Sequence, residues 1–177
     1  KGRADTALFL PEGNGRDWSL LVGLGDATEA GRWTLAAAAA MAPEGRYRLA
    51  APVPALALHG WLMAQHRFAR YRKADDARGP RQLLVADPAA IEQALAEAEA
   101  TASLRDMIDT TAEQMGPAEV EGEMRALCDS VGGKLTVVAG EALIEQNFPA
   151  IHAVGRASPR RPRLLAMDWG DPRFPLV

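Results

Sequence analysis

Asn147-Phe148-Pro149-Ala150-Ile151-His152-Ala153-Val154-Gly155-Arg156-Ala157-Ser158, with Pro162-Arg163-Leu164-Leu165-Ala166-Met167-Asp168-Trp169-Gly170 just behind it, sets the pattern on which the fold is read. Two short apolar runs, Ala150 to Val154 and Arg163 to Met167, flank a connector rich in glycine, proline and arginine, and both read as strands. Phe174-Pro175-Leu176-Val177 reads as the start of another.

Upstream, Glu141 to Gln146 reads as a short helix and Leu135 to Ala139 as a strand behind the stop signal Gly132-Gly133. Pro117 opens a helix with Glu119 and Glu121 near its positive end and Val120, Met124, Leu127 and Val131 on its buried side. The strongest helix follows Asp87 as N-cap and Pro88 as first residue. Ile91, Leu95, Ala98 and Ala102 mark its apolar stripe, Leu104 and Ile108 continue it, and Glu92, Glu97 and Glu99 face water. Before it, Arg78-Gly79-Pro80 breaks the chain and Gln82 to Ala86 reads as a parallel strand buried on both faces.

Nearer the N-terminus, Thr6 to Leu10 and Trp18 to Leu24 read as a hairpin around Pro11-Glu12-Gly13-Asn14-Gly15. Trp33 to Met41 reads as an alanine-rich helix, Tyr47 to Leu49 as a strand, and Val53 to Tyr71 as one long helix. The alternation predicts an α/β fold: a small N-terminal α/β domain over 1–86, then over 87–177 a linking helix and the first strands and helices of a second α/β domain.

A chain of 177 residues that is 48% hydrophobic buries a core of one medium or two small domains. Its net charge of -3, from 20 basic and 23 acidic side chains, gives no general attraction to nucleic acid or an anionic membrane. Cys128 is the one cysteine, so a disulfide framework within the chain is excluded and a reducing, cytoplasmic setting is expected. The longest apolar run, Leu35 to Ala42, is far shorter than the roughly 20 residues of a membrane helix. Residue 1 is Lys, so the natural start is read as lying upstream.

Four stretches in a fixed order carry a family resemblance: Phe68 to Lys73, Arg105 to Thr110, Met115 to Glu119, and Asn147 through Gly170, where Gly155-Arg156-Ala157-Ser158 and Pro162-Arg163-Leu164-Leu165 are sharpest. Over Gly45 to Val177 the chain resembles the leucyl aminopeptidase (cytosol aminopeptidase) family. Family members carry Asn-Thr-Pro-Ala-Asn where this chain has Asp109-Thr110-Thr111-Ala112-Glu113, and the missing proline predicts a relaxed loop there.

The resemblance implies an intact metallo-exopeptidase that removes N-terminal amino acids from peptides with two divalent metals, zinc, manganese or magnesium, and that is a cytoplasmic homohexamer. It implies a macro-like N-terminal domain. It also places the metal ligands and catalytic residues beyond Val177, so the expectation for this segment is no catalytic, substrate-binding or metal residue and no peptidase activity alone. The alternatives are a non-catalytic assembly or regulatory domain and a macro-like nucleotide-binding module. Apolar sheet edges around Leu164 to Met167 and Leu176 are expected where further strands would pair.

The chain's own chemistry is sparse. His59, His66 and His152 have no metal-ligand spacing, His152, to which the resemblance gives no ligand role, reads as a packed or hydrogen-bonded imidazole, and Cys128 reads as a buried thiol. Gly23-Leu24-Gly25-Asp26 resembles a phosphate-cradling turn but lacks a third glycine and a lysine, and reads as a turn needing positive φ. Arg67, Arg70, Arg72 and Lys73 around Phe68 and Tyr71, with a second run at Arg160, Arg161 and Arg163, would need one shared face to hold nucleic acid. The simpler reading is cations at a helix C-terminus with Phe68 and Tyr71 in the core. Asp106, Asp109 and Glu113 read as a solvated helix end rather than a metal site.

Overall fold

The computed structural model describes residues 2–11, 13, 18–26, 30–71, 79–171 and 173–174. Its elements run β1 (Ala7–Pro11), β2 (Trp18–Val22), α1 (Ala36–Met41), β3 (Gly45–Arg48), α2 (Ala55–Met63), β4 (Arg81–Leu84), α3 (Pro88–Asp109), α4 (Pro117–Val131), β5 (Lys134–Ala139), α5 (Ala142–Glu145), α6 (Pro149–Gly155) and β6 (Arg163–Asp168). They fall into two compact units, Lys1–Asp106 and Met107–Val177, divided inside the last turn of α3.

In the first unit β1 and β2 form the expected antiparallel hairpin, with Ala7 opposite Val22 and Pro11 opposite Trp18. Residues 12, 14 and 15 of its turn lie outside the described residues. β3 and β4 pair in parallel, Gly45 with Arg81 and Tyr47 with Leu83. The core gathers Leu35, Ala38, Ala39 and Ala42 around α1 with Ala57, Leu58 and Trp61 of α2 and Ala94 of α3. Small residues permit this closeness: a β-carbon at Gly60 of α2 would stand 2.5 Å from the Arg32 carbonyl oxygen.

Three expectations for this unit need correction. The long helix of 53–71 runs only from Ala55 to Met63. Beyond it, Gln65 Nε2 donates to the Trp61 carbonyl at 3.2 Å and Arg67 Nη1 donates to the Ala64 carbonyl at 2.9 Å, so side chains satisfy the carbonyls a further turn would have used. β4 is not buried on both faces, because Arg81 and Leu83 point inward while Leu84 is 51% exposed. The stripe on α3 is displaced: Ala94 and Ala98 are buried, whereas Leu95, Leu104 and Ile108 are exposed. Glu97, still partly exposed, takes a 2.8 Å bond from Arg32 Nη1.

In the second unit β5 and β6 form an antiparallel pair, Lys134 opposite Asp168 and Ala139 opposite Arg163. Val138, Leu143 and Cys128 are its buried apolar side chains among the described residues. α4 ends as expected, Gly132 taking the left-handed conformation at φ 69°. Its buried side centres on Cys128, and Leu127 and Val131 are exposed, contrary to expectation.

The run 150–154 is helix α6 rather than a strand. Pro149 supplies the preset φ of a first helical residue, His152 N–H reaches the Phe148 carbonyl and Arg156 N–H the His152 carbonyl at 2.8 Å. A five-residue run of four apolar residues and His152 is too short to carry a period of its own, and Pro149 tips it to helix. No helix among the described residues is long and apolar enough to cross a membrane.

Candidate functional site

The second unit holds most of the family-like residues, and they are tied together by buttressing bonds. Arg163, at the start of β6, donates from Nε to Glu121 of α4 at 2.6 Å, and Arg125 donates to the other Glu121 oxygen at 2.8 Å. The two guanidinium groups hold the Glu121 carboxyl below the usual carboxylate range. Arg160 donates to the carbonyls of Ala112 at 2.6 Å and Glu113 at 2.5 Å. The loop at 109–113 is therefore held rather than relaxed, with Gln114 and Met115 N–H both on the Thr111 carbonyl. At the next helix start, the Glu119 carboxylate accepts from Gly116 N–H at 3.0 Å. Gly116 has no side chain to return the bond, so only this half of a capping box exists.

A cleft of ≈ 750 Å³ opens beside this frame between the end of β5 and the α6–β6 connection. Glu141, Glu145, His152, Arg156, Ser158 and Arg161 supply its polar lining. His152 Nε2 lies 3.2 Å from Glu141 Oε1, so the imidazole is hydrogen-bonded, as expected of it.

The other histidines occupy separate settings. His59 is 2% exposed, packs edge-on against Trp33 at 5.3 Å, and has no partner for Nδ1. Burial first, and the nearby Arg32 second, lower its pKa. His66 Nε2 lies 3.1 Å from Asp106 Oδ1, an ion-pair distance without hydrogen-bond alignment. Asp106 is thus turned toward His66, and Glu113 meets Arg160 at 3.3 Å. Cys128 is buried as expected. Among the described residues no group of three or more His, Cys, Asp and Glu could hold a metal ion.

The glycine turn is structural in geometry. Gly25 has φ 61°, its N–H bonds the Gly2 carbonyl and Gly23 N–H the Thr6 carbonyl, each at 2.9 Å, leaving neither amide for a phosphate. A β-carbon at Gly23 would lie 2.0 Å from the Arg3 carbonyl oxygen. Described cations of both basic runs are engaged within their own units: Arg67 bonds the carbonyls after α2, and Arg160 and Arg163 are committed to internal partners. Phe68 and Tyr71 pack on each other at 5.6 Å, but Tyr71 is exposed rather than in the core. Arg72 and Lys73, like residues 175–177 of the last strand expected, lie outside the described residues.

Sequence reasoning missed Arg81. It is 6% exposed, and its Nε and Nη1 have no hydrogen-bond partner. Its only sequence signal was a charged residue at the mouth of an apolar strand.

Comparison with known proteins places this architecture. Residues 102–174 match the model of the cytosol aminopeptidase family, catalytic domain. A probable cytosol aminopeptidase of Rhodococcus jostii (strain RHA1) is 30% identical over 96% of this chain and 37% of its own length. Peptidase B of Enterobacter sp. (strain 638) is 39% identical over 79 residues, 41% of this chain and 18% of that protein. Among solved structures, the cytosol aminopeptidase from Coxiella burnetii superposes with a TM-score of 0.80 at 27% identity, over 96% of this chain and 37% of that one. The bottromycin maturation enzyme BotP in complex with Mn does so with a TM-score of 0.75 at 27% identity, over 96% and 40%. The chain thus spans well under half the length of these relatives. With the mixed α/β architecture and the ordered motifs in agreement, the chain belongs to the cytosol aminopeptidase family.

Proposed function

We propose that this chain is part of a two-metal exopeptidase that releases N-terminal amino acids from peptides. The observation that carries the reading is the match of residues 102–174 to the family's catalytic domain. In this reading residues 1–86 are an accessory domain, the helix after Asp87 is the link, and the remainder to 177 is the beginning of the catalytic domain. The intact protein works in the cytoplasm as a homohexamer, with zinc or manganese as the metals.

The described residues do not fit those metals. Glu141 is paired with His152 and Asp106 with His66, and among the described residues no group of three or more His, Cys, Asp and Glu could hold a metal ion. No step of hydrolysis is therefore assigned to them. What this chain does contribute is a frame: Arg163 and Arg160 fix β6 and the loop before α4 through Glu121 and the Ala112 and Glu113 carbonyls. Such a frame holds the first strands of the domain in register for the groups that act on substrate.

The test is an assay of the purified 177-residue polypeptide with leucine p-nitroanilide in the presence of Mn²⁺ or Zn²⁺. No metal-dependent release of p-nitroaniline is expected, whereas a polypeptide carrying the rest of the catalytic domain is expected to release it. Turnover by residues 1–177 alone would overturn the placement of the chemistry, and inactivity of the longer polypeptide would overturn the aminopeptidase reading.

A further inference from the structure

Arg81 is the most anomalous charge in the described structure. The alternation of β4 turns it inward with Leu83, while Gln82 and Leu84 turn out. Its parallel partner in the register is Gly45. The backbone at Arg81 is fully engaged: its N–H donates to Gln65 Oε1 at 3.2 Å, and its carbonyl accepts from Trp61 Nε1 at 3.1 Å. The side chain is not. Nε and Nη1 are buried without a partner, and Arg81 forms no ion pair among the described residues.

Neither of two nearby oxygens is bonded to Nε or Nη1: the Tyr47 hydroxyl donates to the Pro43 carbonyl at 2.5 Å, and Gln82 Oε1 receives Arg46 Nε at 3.1 Å. An arginine cannot shed its proton to escape burial. A guanidinium withdrawn from water with two unmade hydrogen bonds is strongly disfavoured unless an anion or another acceptor meets it.

Arg81 lines a groove of ≈ 500 Å³, within the range of about 300–1,000 Å³ typical of small-molecule sites. The walls are Leu58, Trp61 and Leu62 of α2, Leu83 and Leu84 of β4 with Val85 just after it, and Ile91, Ala94 and Leu95 of α3. Arg46 and Gln82 add the remaining polar groups, and no carboxylate lines the groove. Two cations and an otherwise apolar wall select a ligand of matching polarity. We propose that this groove binds an amphiphilic carboxylate, its head against the Arg81 guanidinium and its apolar body along Leu58, Leu62, Ile91 and Leu95.

The head can belong to a free aliphatic acid or to the C-terminus of a peptide ending in an apolar residue, since both present a carboxylate beside an alkyl group. All residues of the site lie in the unit Lys1–Asp106, so the inference does not depend on peptide hydrolysis.

The test titrates the 177-residue chain with octanoate, octanol, and N-acetyl-Ala-Leu as free acid and as amide, following the Trp61 indole N–H by NMR. The expected result is a saturable shift with at least one of the two acids and none with octanol or the amide. Octanoate binding shows that a free acid suffices; binding of the peptide acid alone assigns the site to a peptide C-terminus. Arg81→Met, which keeps the packed stem and removes the charge, is expected to weaken the acid about 30-fold or more. Should that variant not fold, Leu95→Asp puts a repelling charge on the exposed wall and is expected to weaken the acid as well. The proposal is overturned if neither acid binds at millimolar concentration, if octanol binds as well as octanoate, or if the folded variant binds the acid at wild-type strength.

Discussion

Buried beside Trp33, the His59 imidazole has its pKa lowered first by loss of water and then by Arg32, with Glu97 pulling weakly the other way. The folded state therefore holds fewer protons than the unfolded chain once pH drops toward the free-histidine value of about 6.5. Stability from this residue is complete above that value and is lost as pH falls through it, until the folded imidazole also protonates. Thermal melts between pH 7.5 and 5.5 are expected to show a smaller drop in His59→Phe than in the wild type; an equal drop would assign the acid sensitivity to other groups. That His59 has no metal-ligand spacing was legible in the sequence; that it is buried against Trp33 was not. The guanidinium of Arg81 was not, because strand parity decides which side of β4 faces inward, and the parity follows from the pairing with Gly45 and Tyr47.

At the scale of elements, the helix starts were the most legible features. Asp87 Oδ1 accepts from Ala89 N–H at 3.0 Å, as its position before Pro88 predicts. Asp87→Ala is expected to lower stability by about 1 kcal/mol and Asp87→Asn by much less, read from urea unfolding midpoints. Equal losses for the two would mean that the charge matters rather than the acceptor. Helix ends and short apolar runs were harder. α2 stops at Met63 because Gln65 and Arg67 take its last carbonyls, and nothing in the period of 53–71 announces that. The run 150–154 suits a strand or a helix equally on hydrophobicity; Pro149 and the bond from Arg156 N–H to the His152 carbonyl settle it. The exposed Leu95, Leu104 and Ile108 belong to the same difficulty, since the period gives a stripe but not which of its edges meets the core.

The whole molecule divides into two compact units, each with its own buried side chains, Trp61 with Leu35 and Leu58 in one, Leu143 with Val138 and Cys128 in the other. Separate cores predict separate cooperative transitions. Trp18, Trp33 and Trp61 lie in the first unit and Trp169 in the second, where its indole N–H bonds the Val131 carbonyl at 3.0 Å. Fluorescence of a Trp169→Phe variant therefore reports the first unit alone. Its urea midpoint is expected to differ from the midpoint followed by far-ultraviolet circular dichroism of the same variant; coincident curves would show one cooperative molecule.

Family membership was written in the chain itself, in ordered motifs such as Gly155-Arg156-Ala157-Ser158, and so were the α/β alternation and the capped helices, because these depend on neighbours in sequence. Only the tertiary structure showed that the loop at 109–113 hangs on Arg160, that Arg163 is tied to Glu121, and that Arg81 lies buried with Nε and Nη1 unpartnered. Each of those facts depends on groups far apart along the chain, or on which face of a strand turns inward. Composition and spacing carry neither, since burial and pairing are properties of the packed whole.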